Sequence, residues 1–255
     1  MLEITTTSTL LPRQIIGHTV KPPSTEYAKL PYIPPYLHSG IDQFIYGESF
    51  ASAGSGALAE TGKGLAIDLK TQLRYFKNVS RILMQQLGDA EAKALLSRAV
   101  YLFSVGISDH IHPYEEIYEI GGRKFTFPSL WPSACIPSSM LFDGGKSGAC
   151  FDTITPYIEL HNKQLSELLR KAQNDMKGFK YSNPDFHTLL EEIINHPSNY
   201  GFKEGKVACC GSGPYRGIYS CGGRRGVKEF ELCQNVSEYV FFDFGYRPKT
   251  QLGYF

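Results

Sequence analysis

The sequence lacks three features that would point to particular classes of protein. It has no excess of one charge, with 26 Lys and Arg against 25 Asp and Glu, so its charge does not favour a nucleic acid partner. It has no apolar run near the roughly 20 residues that cross a bilayer, and its most apolar stretch, residues 100–105, is only as long as a strand. It also shows no internal repeat. We therefore expect neither a nucleic acid partner nor a transmembrane span.

The sequence does contain the material for a hydrophobic core. Its 255 residues include 16 Phe and 16 Tyr beside an average aliphatic content, which excludes disorder as the general state. This length fits one ordinary globular domain or at most two small ones. The 25 Gly and 15 Pro predict many turns between the elements.

Signs of the cellular compartment disagree with each other. Residues 1–23 contain no apolar segment followed by a small-residue cleavage site, so no secretory signal is visible. Six cysteines and two Asn-x-Ser glycosylation acceptors, at Asn78 and Asn235, are nevertheless typical of extracellular proteins. The cysteine spacing favours disulfides over the alternative of a zinc site, because the adjacent Cys209 and Cys210 cannot both enter one tetrahedral site without strain.

The predicted strands and helices alternate along the chain. The longer helical segments repeat apolar residues at three- and four-residue intervals, and short β-rich stretches separate them. This alternation predicts an α/β protein with a parallel sheet and helices on both faces. The predicted helices cover residues 67–87, 90–99, 156–176 and 186–195. The predicted strands cover residues 100–105, 124–130, 179–185 and 239–243, and residues 44–57 are predicted as a short strand that runs into a small-residue loop.

A search for the residues of nucleophilic hydrolysis finds no complete motif. The Gly-x-Ser-x-Gly elbow is absent, because residues 106–110 read Gly-Ile-Ser-Asp-His. Residues 211–213, Gly-Ser-Gly, lie among cysteines and glycines, and we interpret them as a turn. His110 and His112 could ligate a metal from one strand, but without a third ligand nearby a polar loop is the better interpretation. His161 is expected on a helix surface.

Six short blocks, taken in order, resemble the plant GDSL esterase/lipases of the SGNH hydrolase family. The resemblance covers residues 26–243 and implies a secreted protein with a three-layer α/β/α fold and a flavodoxin-like parallel sheet, here incomplete. In that family Ser, Asp and His hydrolyse carboxylic esters, and backbone and side-chain donors stabilise the oxyanion. The blocks are residues 46–58, 101–109, 121–125, 134–137, 208–213 and 241–243.

The resemblance assigns four positions of the catalytic site, and two of them carry an altered residue. Gly54 matches the glycine whose N–H binds the oxyanion, while Ser108 stands in place of the Asn that supplies the other donor. Asp243 matches the triad acid, and Tyr246 stands in place of the triad His in the Asp-x-x-His-Pro block. The Gly-Asp-Ser block that carries the nucleophilic Ser is absent from the sequence.

These changes predict a catalytically inactive chain. A phenol with an unperturbed pKa near 10 is a poor base at neutral pH, and losing one oxyanion donor typically costs ~10²–10³ in rate. The alternatives are a non-catalytic relative that binds lipids or esters, including a decoy, and a truncated gene model. We expect no cofactor and no metal. The resemblance implies a lipid or small acyl ester as the substrate, and a monomer.

The resemblance also divides the chain into three parts. Residues 1–24 are expected to be a non-homologous leader, residues 25–243 a partial hydrolase domain, and residues 244–255 an aberrant tail. Between the block at residues 101–109 and Gly121 a stretch present in the family is missing. The family's first strand is missing as well, and we expect its loss to leave the neighbouring strands with unpaired backbone groups.

We hypothesise that residues 1–21 are read out of frame. Codons that the genetic code permits for these residues encode AGNNNYINTTTKTNNWPYGE when the reading frame is shifted by two bases. That peptide is similar to the residues that follow the nucleophilic Ser in the family's Gly-Asp-Ser block. Sequencing the genomic DNA across Met1 is expected to find these codons, with the start, the signal peptide and the serine upstream in another frame. Different codons at residues 4–20 would contradict the hypothesis.

Overall fold

The computed structural model describes residues 2–5, 33–38, 41–52, 55, 63–64, 66–104, 113–143, 148–223 and 227–245. The chain divides into two compact units. The first comprises Met1–Pro128, Lys163–Pro184 and Gly253–Phe255, and the second comprises Ser129–Asn162 and Asp185–Leu252. Among the helices in the described ranges, none has the length and apolarity needed to cross a membrane.

A five-stranded sheet forms the centre of the first unit. Its strands are β1 (Leu2–Thr5), β2 (Gly47–Ser49), β3 (Val100–Phe103), β4 (Lys124–Thr126) and β5 (Lys180–Ser182). They lie in the order β2-β1-β3-β4-β5, and β3, β4 and β5 run parallel. Helices connect β3 to β4 and β4 to β5, as parallel neighbours require. The parallel sheet with helices confirms the α/β prediction and is consistent with a three-layer α/β/α fold.

β1 lies inside the sheet and runs antiparallel to both of its neighbours. Glu3 pairs with Ser49 of β2 on one side and with Leu102 of β3 on the other. The expectation that the missing first strand leaves unpaired neighbours is therefore wrong for β2 and β3. Backbone N–H and C=O groups inside a sheet need partners, and residues 2–5 supply them here.

The helices in the described residues are α1 (Leu69–Leu87), α2 (Asp89–Arg98), α3 (Pro113–Ile120), α4 (Pro137–Met140), α5 (Thr155–Asp175) and α6 (Phe186–Asn195). The first unit contains α1, α2, α3 and residues 163–175 of α5. The second contains α4, α6 and the first residues of α5. Short 3-10 turns occupy several of the connections between these elements.

Aromatic rings fill the core of the first unit. The Phe125 ring of β4 contacts Tyr101 and Phe179, with centroid distances of 5.4 and 4.7 Å. Tyr101 is fully buried, and its hydroxyl donates to the carbonyl of Leu96 at 2.9 Å. Burial raises the pKa of Tyr101, because a phenolate would lose its solvation there. The hydroxyl therefore acts as a neutral donor that fixes β3 against the end of α2.

The first residue of α1 is set by Asp68, which caps the helix. One carboxylate oxygen of Asp68 accepts the N–H of Thr71, and the other accepts the Thr71 hydroxyl, both at 2.9 Å. The backbone bond from Thr71 is the main cause that lowers the pKa of Asp68. The cap explains why the helix begins at Leu69, two residues after the predicted start. The predicted apolar face is confirmed, since its buried members are Leu69, Leu73, Phe76, Val79 and Leu83.

The second unit has its own core, built on one face of α6. Leu190, Ile193 and Ile194 of α6 are buried there with Ile158 and Phe241. The predicted bounds of this helix are confirmed at both ends: the Asp185 carboxylate accepts the N–H of Thr188 at 3.1 Å, and His196 follows the last residue. Two short antiparallel strands, β6 (Cys210–Gly211) and β7 (Glu231–Leu232), complete the unit.

Several strand predictions were wrong in place or extent. Residues 239–243 form no strand and contribute one isolated bridge, between Tyr239 and Glu204. Residues 44–46 lie in the 3-10 turn Ile41–Tyr46, and the strand begins only at Gly47. β4 and β5 are shorter than predicted, because only residues opposite a partner strand join the ladder.

Replacing Asp68 with Ala is expected to lower the free energy of unfolding by about 1 kcal/mol, since the first turn of α1 loses its acceptor. D68N keeps one oxygen acceptor and should lose less. Because the folded-state pKa lies below the unfolded value near 3.9, the contribution of the carboxylate is fully present above that unfolded value. It disappears as the pH falls through the folded pKa. Urea unfolding of the three proteins between neutral and acid pH measures both effects, and equal stability of wild type and D68A at pH 7 would contradict them.

Candidate functional site

Asp243 follows a segment that is hydrogen-bonded to two adjacent cysteines. The N–H of Cys209 donates to the carbonyl of Phe241 at 2.9 Å, and the N–H of Cys210 donates to the carbonyl of Phe242 at 2.7 Å. Asp243 is half-buried, and one of its carboxylate oxygens accepts the N–H of Gly245 at 3.4 Å. These bonds fix the backbone before Asp243 without a regular strand.

The residues after Asp243 are held as well. The N–H of Ser138 donates to the carbonyl of Phe244 at 2.9 Å, and the Phe244 ring lies 4.2 Å from the ring of Tyr219. Gly245 is buried, and a Cβ atom at this position would lie 3.4 Å from Cδ1 of Ile136. Since the backbone is held on both sides of Asp243, the carboxylate is positioned before any ligand binds.

Disulfides reinforce this arrangement. The adjacent cysteines point to different partners, since Cys209 is bonded to Cys233 and Cys210 to Cys221. The N–H of Cys233 also donates to the carbonyl of Cys209 at 2.8 Å. The third disulfide joins Cys135 to Cys150. All six cysteines of the sequence are thus paired, which confirms disulfides and leaves no thiolate for the zinc alternative.

Two glycines allow the loop of the second unit to pack closely. Gly211 has a φ of +151°, and a Cβ atom there would lie 2.2 Å from the carbonyl oxygen of Arg216. At Gly217 a Cβ atom would lie 2.3 Å from the carbonyl oxygen of Pro137. Side chains at these positions would push apart backbone segments on either side of the loop. Both glycines therefore permit the close backbone packing of the loop that contains Cys210, whose N–H bonds the carbonyl of Phe242.

The Gly-Ser-Gly sequence at residues 211–213 does not form the predicted turn, because Gly211 belongs to β6 and Ser212 forms an isolated antiparallel bridge with Ile218. The hydroxyl of Ser212 lies 2.8 Å from that of Ser220, which is buried. The carbonyl of Ser212 accepts the N–H of Ile218 at 3.1 Å. These contacts give Ser212 a structural role within the disulfide-linked loop.

A polar network in the first unit holds Ser52 and Ser55, which precede and follow residues 53–54 in the sequence. The N–H of Ile67 donates to the hydroxyl of Ser52 at 2.9 Å, and the N–H of Ser55 donates to the carbonyl of Ser52 at 3.1 Å. The fully buried amide of Gln72 donates to the hydroxyl of Ser55 at 3.1 Å and to the carbonyl of Ile67 at 2.7 Å. Sequence reasoning missed Gln72. The one sequence feature that could have indicated its role is its position, since it is a polar residue on the apolar face of α1 between Leu69 and Phe76.

Of the four predicted site positions, the structure describes only Asp243. Gly54, Ser108 and Tyr246 lie outside the described residues, as do His110 and His112. The predicted roles of these residues therefore remain predictions.

Of the histidines named from the sequence, His161 lies in the described part of the chain. His161 is half-buried rather than exposed as predicted, and burial lowers its pKa because the charged imidazolium would lose solvation. Across the described ranges, no group of three or more His, Cys, Asp or Glu side chains is arranged to hold a metal ion.

Comparison with known proteins gives a consistent set of relatives. The family model described as GDSL-like Lipase/Acylhydrolase matches residues 23–243. GDSL esterase/lipase 2 of Arabidopsis thaliana is 45% identical over 89% of this chain and 68% of its own length, and GDSL esterase/lipase 1 is 46% identical over 86% and 66%. A GDSL lipase of Tanacetum cinerariifolium is 41% identical over 86% and 64%. The chain spans about two thirds of the length of these relatives.

Removing the Cys210–Cys221 disulfide with C210S/C221S is expected to lower the free energy of unfolding by about 2–4 kcal/mol. It should also speed hydrogen exchange at the amides of residues 209 and 210, because their pairing with Phe241 and Phe242 loosens. Amides of the ladder between β3 and β4 in the first unit serve as the control and should keep their exchange rates. Unchanged exchange at residues 209 and 210 would show that the disulfide does not support the segment before Asp243.

Proposed function

Because the chain belongs to the GDSL-like lipase/acylhydrolase family, we propose that it binds carboxylic esters of lipids or small acyl compounds, and that these 255 residues do not hydrolyse them through a triad. The observation that carries the proposal is the sequence at the family's Asp-x-x-His-Pro block. Its acid, Asp243, is held in place on both sides, while the base position holds Tyr246.

The family reaction needs a base that this position does not supply. A Ser attacks the acyl carbonyl, a His takes its proton, and water then releases the acyl group from the enzyme. An Asp in such a triad orients the His and stabilises the imidazolium that forms. A Tyr offers a phenol whose unperturbed pKa of about 10 leaves it protonated at neutral pH. Asp243 therefore has no imidazole in its own block to orient.

The nucleophile and one oxyanion donor are altered as well. Among these 255 residues there is no Gly-Asp-Ser, and Ser108 replaces the amide of the family's Asn with a shorter hydroxyl. Enzymes that lose triad members retain only about 10³–10⁴ over the uncatalysed rate, from binding and the oxyanion hole. Here the hole is itself changed, so we expect less than that.

Ester binding has separate support in the preserved scaffold. The parallel ladder of β3, β4 and β5 matches the α/β class of the family, and Gln72 orders the loop at Ser52 and Ser55. A chain that keeps these parts without triad chemistry suits a non-catalytic binding or decoy protein. A truncated or misassembled gene product is the alternative, and the reversed direction of β1 beside the parallel strands favours it.

We place the protein in an extracellular, glycosylated class. Three disulfides in a chain of this size persist in oxidising compartments and are rare in the cytosol. The two Asn-x-Ser acceptors agree with that compartment.

The purified 255-residue chain is expected to hydrolyse p-nitrophenyl butyrate no faster than a folded control protein of similar charge. The matched variant D243N should show the same rate, because the acid has no triad to serve. A serine-directed organophosphonate should leave no adduct on the intact mass. Turnover that the organophosphonate abolishes, or that falls in D243N, would overturn the proposed inactivity.

Binding is tested with a fluorescent acyl ether, which keeps the shape of an ester but cannot be cleaved. Saturable binding by a soluble, cooperatively melting chain is expected. Cooperative melting without saturable binding would overturn the binding role. An insoluble chain would favour the misassembled gene product.

A further inference from the structure

Both polar atoms of the Asn78 side chain make hydrogen bonds within the folded protein. Asn78 lies within α1, where its Nδ2 donates to the hydroxyl of Tyr36 at 3.1 Å and its Oδ1 accepts from Arg81 at 2.7 Å. Ser80, the hydroxyl residue of this acceptor, is only 5% exposed and donates to the carbonyl of Lys77 at 2.9 Å. A sugar on Nδ2 would take the place of the Tyr36 contact.

Tyr36 is itself part of a ring cluster, which makes that displacement costly. Its ring lies 4.5 Å from Tyr75 and 5.4 Å from the buried Phe50. A glycan at Asn78 would push Tyr36 away from these rings and expose apolar surface that the first unit now covers. The folded protein therefore disfavours modification at Asn78.

The glycosylation acceptor at Asn235, unlike the one at Asn78, lies on the surface outside the helices. Asn235 is exposed and caps the 3-10 turn Val236–Glu238. Its Oδ1 accepts the N–H of Ser237 at 3.1 Å and the hydroxyl of Ser237 at 2.7 Å. The hydroxyl of the acceptor motif is thus already directed at the amide that would be modified. Hydrogen bonds to Oδ1 polarise the amide and make the protons on Nδ2 easier to lose.

The nitrogen of Asn235 remains accessible in this turn. Its Nδ2 has a contact with an exposed carboxylate oxygen of Glu238 at 3.2 Å, which uses one of its two protons. Glu238 keeps a second partner in the ammonium group of Lys203, at 2.6 Å. Loss of the contact to Asn235 therefore leaves Glu238 with its ion pair.

The neighbouring surface is open and partly apolar. Residues 227–232 are exposed, and Phe230 and Leu232 show 42% and 59% of their surface to solvent. Leu232 belongs to β7, an edge strand of a two-stranded sheet. Soluble proteins usually cover or charge such edges, and a hydrated glycan three residues further along the chain would serve that purpose.

We propose that Asn235 is an N-glycosylation site and that Asn78 is not modified. The inference rests on the proposed extracellular location, since the transfer occurs in the secretory pathway. The donor is an oligosaccharide linked to a polyisoprenyl pyrophosphate. A bond forms between Asn235 Nδ2 and the anomeric carbon, the bond from that carbon to the pyrophosphate oxygen breaks, Nδ2 loses one proton, and the lipid pyrophosphate leaves.

The test directs the full 255-residue chain into the secretory pathway of cultured plant cells with a cleavable signal peptide. Peptide-N-glycosidase converts a glycosylated Asn to Asp, which mass spectrometry of tryptic peptides reads at each site. We expect conversion at residue 235 and none at residue 78. The glycosidase-sensitive shift on a gel should vanish in N235Q and S237A and persist in N78Q and in the conservative variant S237T.

A glycan on Asn78, or soluble folded protein in the medium with an unmodified Asn235, would overturn the proposal. The readout uses no ester, so it does not depend on the proposed binding role. Because the added signal peptide delivers the chain, the readout at Asn235 is also independent of the location of the native protein.

Discussion

Two backbone hydrogen bonds, from Cys209 to Phe241 and from Cys210 to Phe242, organise the region around Asp243. They join two successive residues of each segment, and the disulfides link the two cysteines to different partners, Cys233 and Cys221. The position of the acid thus depends on main-chain bonds and covalent links rather than on the residues it would serve in a triad. An acid placed in this way keeps its position even when the base beside it is replaced.

The parts of the fold that depend on local information could be predicted. The apolar spacing of α1 and the Asp185 cap with Pro197 beyond α6 lie within a few residues of the helices they determine. Strands were harder, because a strand exists only where another segment pairs with it. Residues 239–243 have the composition of a strand, but their carbonyls are taken by a loop. Residues 2–5 alternate apolar Leu2 and Ile4 with Glu3 and Thr5, but four residues are too few to predict a strand without knowing that β2 and β3 pair with them.

The site divides in the same way. Positions Asp243 and Tyr246 could be proposed from sequence because both belong to one short contiguous block, and their roles stay predictions. Gln72 could not, since its role depends on Ser55 and Ile67, which only the folded chain brings to its amide. The difference between Asn78 and Asn235 was equally hidden. Both match the same three-residue motif. Only the structure shows that the Asn78 side chain is hydrogen-bonded within a helix, whereas Asn235 lies in an exposed turn.

β1 pairs with both of its neighbours in the sheet, but it runs in the opposite direction to them. Leu2 pairs with Phe103 at the carboxyl end of β3, and Thr5 pairs with Val100 at its amino end. Open α/β sheets bind ligands beyond the carboxyl ends of their parallel strands. The carboxyl end of β1 at Thr5 therefore lies at the edge of the sheet opposite to the carboxyl end of β3 at Phe103. Pairing with β1 completes the hydrogen bonds of its neighbours, but a residue placed directly after this strand would lie on the side of the sheet away from the binding edge.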